Sequence, residues 1–239
     1  MTPSSTGERL AVVTGAASGI GAATARRLAR DGTTVLVCDV VDDAGGAVAA
    51  EVGGAYVHLD VGDPRGWDNL LERVGDARVE RALLNAGVLT AAEPTPFLDV
   101  PLERLARVRA VNLDGVLLGV RALAPTMTAA GGGSIVATAS LAGLGPYADD
   151  PMYAATKHGI VGFVRSVAPQ LAARGVRLHA ICPGGVDTGL LGAERKARIT
   201  AGGRPMLDPA EVAEAVVALL ERDDAGVVAT IVAGRGAEP

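Results

Sequence analysis

Short, continuously apolar runs alternate along the chain with longer segments that have the hydrophobic periodicity of helices. Runs such as AVVT and VLVC lack polar alternation, which indicates strands buried on both faces of a parallel sheet. The predicted strands are Leu10–Thr14, Thr34–Asp39, Ala55–Leu59, Arg81–Asn85, Ser134–Ala139, Val176–Cys182 and Gly226–Ala233, and the predicted helices lie near 19–31, 42–52, 64–74, 101–129, 151–174 and 209–222. This order predicts an α/β fold: a single doubly wound (Rossmann-type) domain over 1–239, with a seven-stranded, mostly parallel sheet and helices on both faces.

One connection is much longer than the others. Residues 184–209 follow the sixth predicted strand and contain six glycines, whereas ordinary connections have a median of about 4–6 residues. The position after the carboxyl end of a strand favours a substrate lid over a disordered segment. We expect few contacts to hold it, because its cluster Glu194-Arg195-Lys196 has the character of an exposed surface.

Composition and charge exclude several classes of protein. The net charge is −5, aromatic residues make up 3% of the chain and only two residues are lysine, a poor surface for nucleic acid. The most apolar stretch, 105–127, carries four charged residues, so no membrane span is predicted, and the amino terminus lacks the apolar region of a secretory signal. Two distant cysteines and three isolated histidines predict neither a disulfide framework nor a metal site. We expect a cytoplasmic protein.

A glycine-rich turn follows the first predicted strand. The segment from Thr14 to Gly21 reads TGAASGIG; its glycines allow close backbone approach, and the helix behind it offers N–H groups to a pyrophosphate. Asp39 ends the second strand, where a carboxylate can accept hydrogen bonds from both ribose hydroxyls of an adenosine. The alternative is that Asp39 only caps the next turn. Residues 16–18 and 40–43 hold no lysine or arginine to meet a 2′-phosphate, so NAD is predicted rather than NADP.

The Gly-x-x-x-Gly-x-Gly spacing resembles the short-chain dehydrogenase/reductase family, and further matches follow in order along nearly the whole chain. Asn85-Ala86-Gly87 resembles the family's Asn-Asn-Ala-Gly, with Leu84 in place of the first Asn. The resemblance implies a catalytic set of Asn112, Ser140, Tyr153 and Lys157. It implies cofactor contacts at Gly15, Ser18, Gly19, Ile20, Gly21, Asp39, Asp60, Val61, Asn85, Ala86, Gly87, Tyr153, Lys157, Pro183, Gly184, Val186 and Thr188.

The spacing of Tyr153 and Lys157 suits proton transfer. Four residues apart on a helix, they share one face. A free phenol has a pKa of about 10, and a nearby ammonium and an oxidised nicotinamide both lower that pKa. Tyr153 would then take the alcohol proton, while Ser140 hydrogen-bonds the substrate oxygen. The resemblance also implies that Lys157 binds the nicotinamide ribose and that Asn112 holds a water linking Lys157 to solvent.

These residues predict an NAD-dependent oxidoreductase that interconverts an alcohol and a ketone or aldehyde. Apolar residues near Ser140 and in the predicted lid favour an apolar secondary alcohol, although the same residues could pack the lid instead. One alternative is an NADPH-dependent carbonyl or ketoacyl reductase, which would need a basic residue near Ser18 or after Asp39. Another is an inactive dinucleotide-binding or scaffold protein, which would tolerate loss of Tyr153 or Lys157.

The long predicted helix 101–129 bears on assembly. It carries apolar residues on several faces and two glycines four apart: Val116, Leu117, Val120 and Leu123, with Gly115 and Gly119. One face must meet the sheet, so the surplus apolar surface predicts a homodimer or homotetramer, as the family resemblance implies. The rival interpretation is that other parts of the same chain cover this surface.

Overall fold

Seven strands form one sheet within residues 9–203 and 205–238, the part of the chain that this computed structural model describes. The strands are β1 (Leu10–Thr14), β2 (Thr34–Asp39), β3 (Ala55–His58), β4 (Val79–Leu84), β5 (Gly133–Thr138), β6 (Val176–Pro183) and β7 (Val228–Ile231). They lie in the order β3-β2-β1-β4-β5-β6-β7, and neighbouring strands pair in parallel. The predicted doubly wound sheet is confirmed.

Helices cover both faces of this sheet. They are α1 (Gly19–Arg30), α2 (Asp42–Glu51), α3 (Pro64–Val74), α4 (Leu102–Arg109), α5 (Gly115–Ala129), α6 (Pro151–Ala172), α7 (Ala193–Ala201) and α8 (Pro209–Leu220). Successive β1 side chains point to opposite faces: Leu10 and Val12 pack in the core under α3, α5 and α6, and Ala11 and Val13 in the core under α1, α2 and α8. Burying a large aliphatic side chain stabilises the fold by about 1.5–3 kcal/mol, which explains why these strands read as continuous apolar runs.

The position of β1 determines where a ligand can bind. β1 lies between β2 and β4, so the connections on its two sides run in opposite directions and a crevice opens beyond the carboxyl ends of the strands. Thr14, at the end of β1, ties the two sides together. Its hydroxyl oxygen accepts hydrogen bonds from the backbone N–H groups of Asn85 at 2.9 Å and Ala86 at 3.2 Å.

The prediction of a single continuous helix over 101–129 is wrong in the middle of that range. A π-helical turn, Ala110–Asp114, separates α4 from α5. Such turns occur mostly as local insertions in α-helices, frequently at functional sites, and this one carries Asn112. Apolar periodicity does not distinguish an α-helical turn from a π-helical one, so this turn could not be predicted from the sequence.

The surplus apolar surface that was predicted for this helix is largely covered, on α5, by other parts of the same chain. Val116, Val120 and Leu123 are buried in the core. Gly119 permits close packing, since a Cβ there would lie 2.7 Å from Leu84 and 2.8 Å from Trp67. The rival interpretation therefore holds for these residues, and they carry no argument for assembly. No helix in the described residues is long and apolar enough to cross a membrane.

Candidate active site

A cleft of about 1120 Å³ opens at the carboxyl ends of the strands, slightly larger than the roughly 300–1,000 Å³ of ordinary ligand sites. Most of the predicted site residues line it: Gly15, Ser18, Gly19, Ile20, Asp39, Asp60, Val61, Asn85, Ala86, Gly87, Ser140, Tyr153, Lys157, Pro183, Gly184, Val186 and Thr188. Gly21 and Asn112 do not line the cleft; each contacts residues that do. The fold thus brings together segments that are up to about 170 residues apart in the sequence.

The glycine turn is packed too closely to accept side chains. A Cβ on Gly21 would lie 2.2 Å from the Gly15 carbonyl oxygen. Gly19 has a φ of +53°, and a Cβ there would lie 2.9 Å from the Thr188 side chain. Ser18 is the N-cap of α1, and its side chain makes no capping hydrogen bond. The turn therefore presents backbone and the amino terminus of α1 to the cleft, which suits a pyrophosphate.

Asp39 is fixed by three backbone N–H groups. One carboxylate oxygen accepts from Ala17 at 2.9 Å, and the other accepts from Val40 at 2.8 Å and Val41 at 3.1 Å. Asp39 therefore caps the turn after β2 and also lines the cleft, so the two interpretations of this residue are compatible. A carboxylate offers about four acceptor positions, which leaves acceptor capacity for a ribose hydroxyl.

Asp60 is held by an arginine that the sequence analysis missed. Arg107 lines the cleft and donates to the Asp60 carboxylate at 2.8 Å, and the backbone N–H of Gly62 donates to it at 3.0 Å. Partial burial raises the pKa of the Asp60 carboxyl, but the two hydrogen bonds and the positive charge of Arg107 together leave that pKa below its ordinary value. Asp60 is thus held as a carboxylate with an arginine beside it.

Ser140, Tyr153 and Lys157 meet deep in the cleft. The Ser140 side chain accepts a hydrogen bond from the backbone N–H of Ala142 at 3.1 Å and lies close enough to the Tyr153 hydroxyl to lower the pKa of that phenol. The Lys157 ammonium donates to the Thr138 carbonyl oxygen at 2.6 Å and lies 5.4 Å from the centre of the Tyr153 ring. The arrangement matches the predicted order: Ser140 follows β5, and the other two residues lie one turn apart on α6.

Burial changes the proton affinity of both residues on α6. It raises the pKa of Tyr153 to about 12, against the lowering effect of the nearby Ser140 side chain, and it lowers the pKa of Lys157 to about 8. The predicted lowering of the Tyr153 pKa is therefore not a property of the chain alone. Part of its predicted cause, the positive charge of an oxidised nicotinamide, belongs to the cofactor.

Asn112 binds protein groups. Its side-chain oxygen accepts from the Val88 N–H at 2.8 Å, and its amide donates to the Val88 carbonyl at 2.9 Å and to the Thr156 hydroxyl at 3.3 Å. The amide thus fixes the segment after Gly87 against the helix that carries Tyr153. Three of its four hydrogen-bonding positions are used, and the water predicted on this residue stays a prediction.

The wall of the cleft beside Ser140 and Tyr153 carries several apolar side chains. It is lined by Leu141, Pro146, Tyr147, Leu190, Leu191 and Ile199. Tyr147 is one of the residues near Ser140 that the sequence predicts to favour an apolar substrate. Its ring meets the Tyr153 ring edge-on with centres 6.2 Å apart.

The expectation that few contacts hold segment 184–209 is wrong. It contains α7, its Leu207 N–H donates to the Gly185 carbonyl at 2.8 Å, and the Arg195 side chain is only 1% exposed. Arg195 is buried because its guanidinium bonds residues of two other segments, and a charge cluster in the sequence does not show this. Arg204 lies outside the described residues. Within those residues there is no group of three or more side chains suited to a metal ion.

Comparison with known proteins supports the same assignment. A family model described as short chain dehydrogenase matches residues 9–199. Cis-4-hydroxycyclohexanecarboxylate dehydrogenase of Sinomonas cyclohexanicum is 38% identical over 96% of this chain and 96% of that protein. A 3-alpha-(or 20-beta)-hydroxysteroid dehydrogenase of Mycobacterium tuberculosis H37Rv is 38% identical over 75% of this chain and 70% of its own length. The crystal structure of a 3-ketoacyl-(acyl-carrier-protein) reductase from Brucella melitensis, in complex with NADH, superposes with a TM-score of 0.86 at 27% identity, covering 96% of this chain and 98% of that one.

Fold, site and relatives define an oxidoreductase that acts on CH–OH groups with a nicotinamide dinucleotide. The chain belongs to the short-chain dehydrogenase/reductase family. The residues present fit the cofactor, since a tightly packed glycine turn leads into α1 and Asp39 lines the cleft at the end of the neighbouring strand. The interpretation as an inactive scaffold is set aside.

Proposed function

We propose that this protein is an NAD-dependent dehydrogenase that oxidises the hydroxyl of a cyclic, largely apolar secondary alcohol to a ketone. The observation that carries the proposal is the meeting of Ser140, Tyr153 and Lys157 at the end of an apolar-walled cleft. The two curated relatives named above support a cyclic substrate, because the names of both describe hydroxyl groups on ring compounds. The apolar part of the proposal rests on the cleft wall, since the first relative's name also describes a carboxylate.

In this mechanism the chain holds the alcohol and moves its proton. When bound, the cofactor supplies the carbon that accepts hydride. Ser140 hydrogen-bonds the substrate oxygen and stabilises the charge that develops on it. Tyr153 takes the hydroxyl proton as general base, and the Lys157 ammonium favours the phenolate. Thr138 keeps that ammonium in place through its carbonyl oxygen.

Asp39 supports the choice of NAD over NADP. The 2′-phosphate of NADP would bring negative charge to the ribose position that this carboxylate is proposed to bind. Residues 16–18 and 40–43 contain no cation, and Asp42 and Asp43 add negative charge there. Like charges in contact cost about 1 kcal/mol at 4 Å in water and more at lower effective dielectric.

A test measures the absorbance of the reduced cofactor at fixed enzyme concentration, with NAD or NADP, against a panel of cyclic and open-chain secondary alcohols. Mass spectrometry identifies the product. We expect ketone formation with NAD and higher kcat/KM for cyclic apolar alcohols. No turnover of any ring alcohol, or a preference for open-chain substrates, would contradict the proposal.

The second candidate is a reductase working in the opposite direction on a carbonyl or ketoacyl substrate. The observation that favours it is the structural likeness to a ketoacyl reductase, whose complex contains NADH. The same site serves both directions by microscopic reversibility. Initial rates with a cyclic ketone and with a ketoacyl thioester, each measured with NADH and NADPH, separate the candidates.

We also propose that the protein assembles as a homodimer or homotetramer. Three apolar side chains before and at the start of α4 support assembly, because Phe97 is 49%, Leu98 93% and Leu102 79% exposed. Exposed apolar patches on otherwise polar surfaces mark contact sites. Light scattering at micromolar concentration tests this, and a monomer would contradict it.

A further inference from the structure

Arg195, in the long segment after β6, is a buried charge. Its side chain and that of Asp150 are each 1% exposed, and their closest nitrogen and oxygen are 4.0 Å apart. The guanidinium also donates to the Ala92 carbonyl at 3.1 Å and to the Ala91 carbonyl at 3.4 Å. A buried charge is costly unless it is paired and hydrogen-bonded, so these contacts fix the place of α7.

Asp150 connects this arginine to the helix that carries the catalytic tyrosine. As the N-cap of α6 it accepts a hydrogen bond from the backbone N–H of Tyr153 at 3.0 Å. It also accepts from the N–H of Thr90 at 2.8 Å and from the Thr90 hydroxyl at 2.5 Å. The first turn of α6 is therefore tied to the residues that bind α7.

Tyr147 provides a second connection. Its hydroxyl accepts a hydrogen bond from Arg195 at 3.1 Å, and its ring packs edge-on against the ring of Tyr153. Tyr147 also lines the cleft. The Arg195 guanidinium thus reaches the catalytic residue by two routes: through the backbone by Asp150, and through the ring by Tyr147.

We propose that Arg195 is a positioning residue: it fixes Tyr147 and Asp150, and through them it sets the orientation of Tyr153 toward the substrate oxygen. The inference rests on the proposed function in that Tyr153 acts as the base. The packing of α7 against the rest of the chain and the correct placement of the Tyr153 phenol then depend on the same contacts. A misplacement of about 1 Å in a reacting group can reduce the rate by 10²-fold.

The test compares Arg195→Met and Arg195→Lys with a matched control, Lys196→Met. Lys196 is the next cation on α7 and is partly exposed in an ion pair with Asp187 at 2.6 Å. We expect Arg195→Met to lower kcat about 10- to 100-fold while the Kd for NAD, from titration calorimetry, changes less than twofold. Arg195→Lys should recover part of kcat, because it keeps the charge but not the planar fork. The control should match the wild type.

A double-mutant cycle with Tyr147→Phe tests the route through Tyr147. If Arg195 acts partly through that hydroxyl, the two losses in kcat are not additive, and the double variant is little worse than Arg195→Met alone. Additive losses would overturn this route. If Arg195→Met does not fold, Arg195→Lys decides: it keeps the charge but not the planar fork and should lower kcat more than KM, whereas an unchanged kcat contradicts the proposal.

Hydrogen exchange supplies a measurement that needs no substrate. In Arg195→Met, amides in the first turn of α6 should exchange faster together with those of α7, and in Lys196→Met the α6 amides should not change. Faster exchange confined to α7, with kcat unaltered, would show that Arg195 holds its own helix only. Failure of the proposed function appears separately, as a wild-type protein that oxidises no alcohol.

Discussion

The Asp39 carboxylate accepts a hydrogen bond from the backbone N–H of Ala17 at 2.9 Å, which joins the end of β2 to the glycine turn after β1. The acid is therefore held at a fixed place beside the turn that is proposed to bind the pyrophosphate. A fixed carboxylate discriminates between NAD and NADP better than a mobile one, because it cannot move away from the 2′-phosphate of NADP without losing this hydrogen bond.

Cofactor preference should follow from this geometry. We predict that the wild type prefers NAD by about a hundredfold in kcat/KM, which corresponds to about 2.8 kcal/mol at about 1.4 kcal/mol per tenfold. Asp39→Ala should weaken the binding of NAD and relieve the repulsion of NADP. The ratio of kcat/KM with NAD to kcat/KM with NADP should therefore fall. Adding Val40→Arg should then improve NADP by supplying a partner for the phosphate. The measurement is kcat/KM with both cofactors for the three proteins.

Two outcomes would contradict this role of Asp39. One is a wild type that prefers NADP. The other is a ratio that does not move in Asp39→Ala although the variant folds, since Asp39 would then serve only the turn that it caps.

Gly21 tests the tight packing of the turn. Gly21→Ala places a methyl group 2.2 Å from the Gly15 carbonyl oxygen unless the turn shifts. Overpacking of this kind costs about 1–3 kcal/mol, and the distorted turn should weaken NAD at least tenfold. The matched control is Gly46→Ala in α2, where nothing lies within 4 Å of the added Cβ; it should raise stability by about 0.5–1 kcal/mol. Thermal unfolding and NAD titration check both variants, and equal behaviour of the two would refute the packing argument.

His179 should make stability depend on pH. It is buried in β6, and neither ring nitrogen has a hydrogen-bond partner among the described residues. Burial lowers the pKa of His179 to about 4 from 6.5; the nearby Asp224 opposes that shift, whereas Arg222 and Arg177 add to it. Between these two values the unfolded chain binds a proton that the folded chain does not, so the folded state loses stability as pH falls from about 6.5 toward 4.

The variant His179→Leu removes this contribution. We expect the difference in Tm between His179→Leu and the wild type to grow in favour of the variant as pH falls through that range. A difference that is constant with pH would show that His179 has the same pKa in both states.

The sequence was sufficient for the fold and for most of the cleft because both depend on local signals. Apolar runs such as that of β5 mark buried strands, and β1 followed by glycines and a helix marks a ligand-binding edge. Asp39 ends a strand, Ser140 follows one, and Tyr153 and Lys157 lie in the first two turns of a helix. Their predicted elements therefore also placed them. All four residues line the cleft, as their placement on these elements predicts.

What the sequence did not show depends on contacts between distant segments. Arg195 has the sequence context of a surface residue, and its burial results from partners more than 40 residues away. The π-helical turn at Asn112 has the same apolar spacing as an α-helix. The Tyr153 pKa is set by desolvation, which no spacing reveals.

The most direct test of the account is the Tyr153→Phe variant, with turnover of a cyclic alcohol and binding of NAD measured on the same preparation. The substitution removes the hydroxyl and keeps the ring that packs against Tyr147. Proton transfer by a positioned side chain contributes about 10²–10⁴-fold to the rate, so we predict that kcat falls at least about 10²-fold. The Kd for NAD and the Tm should stay close to those of the wild type. Near wild-type turnover in Tyr153→Phe would contradict the account.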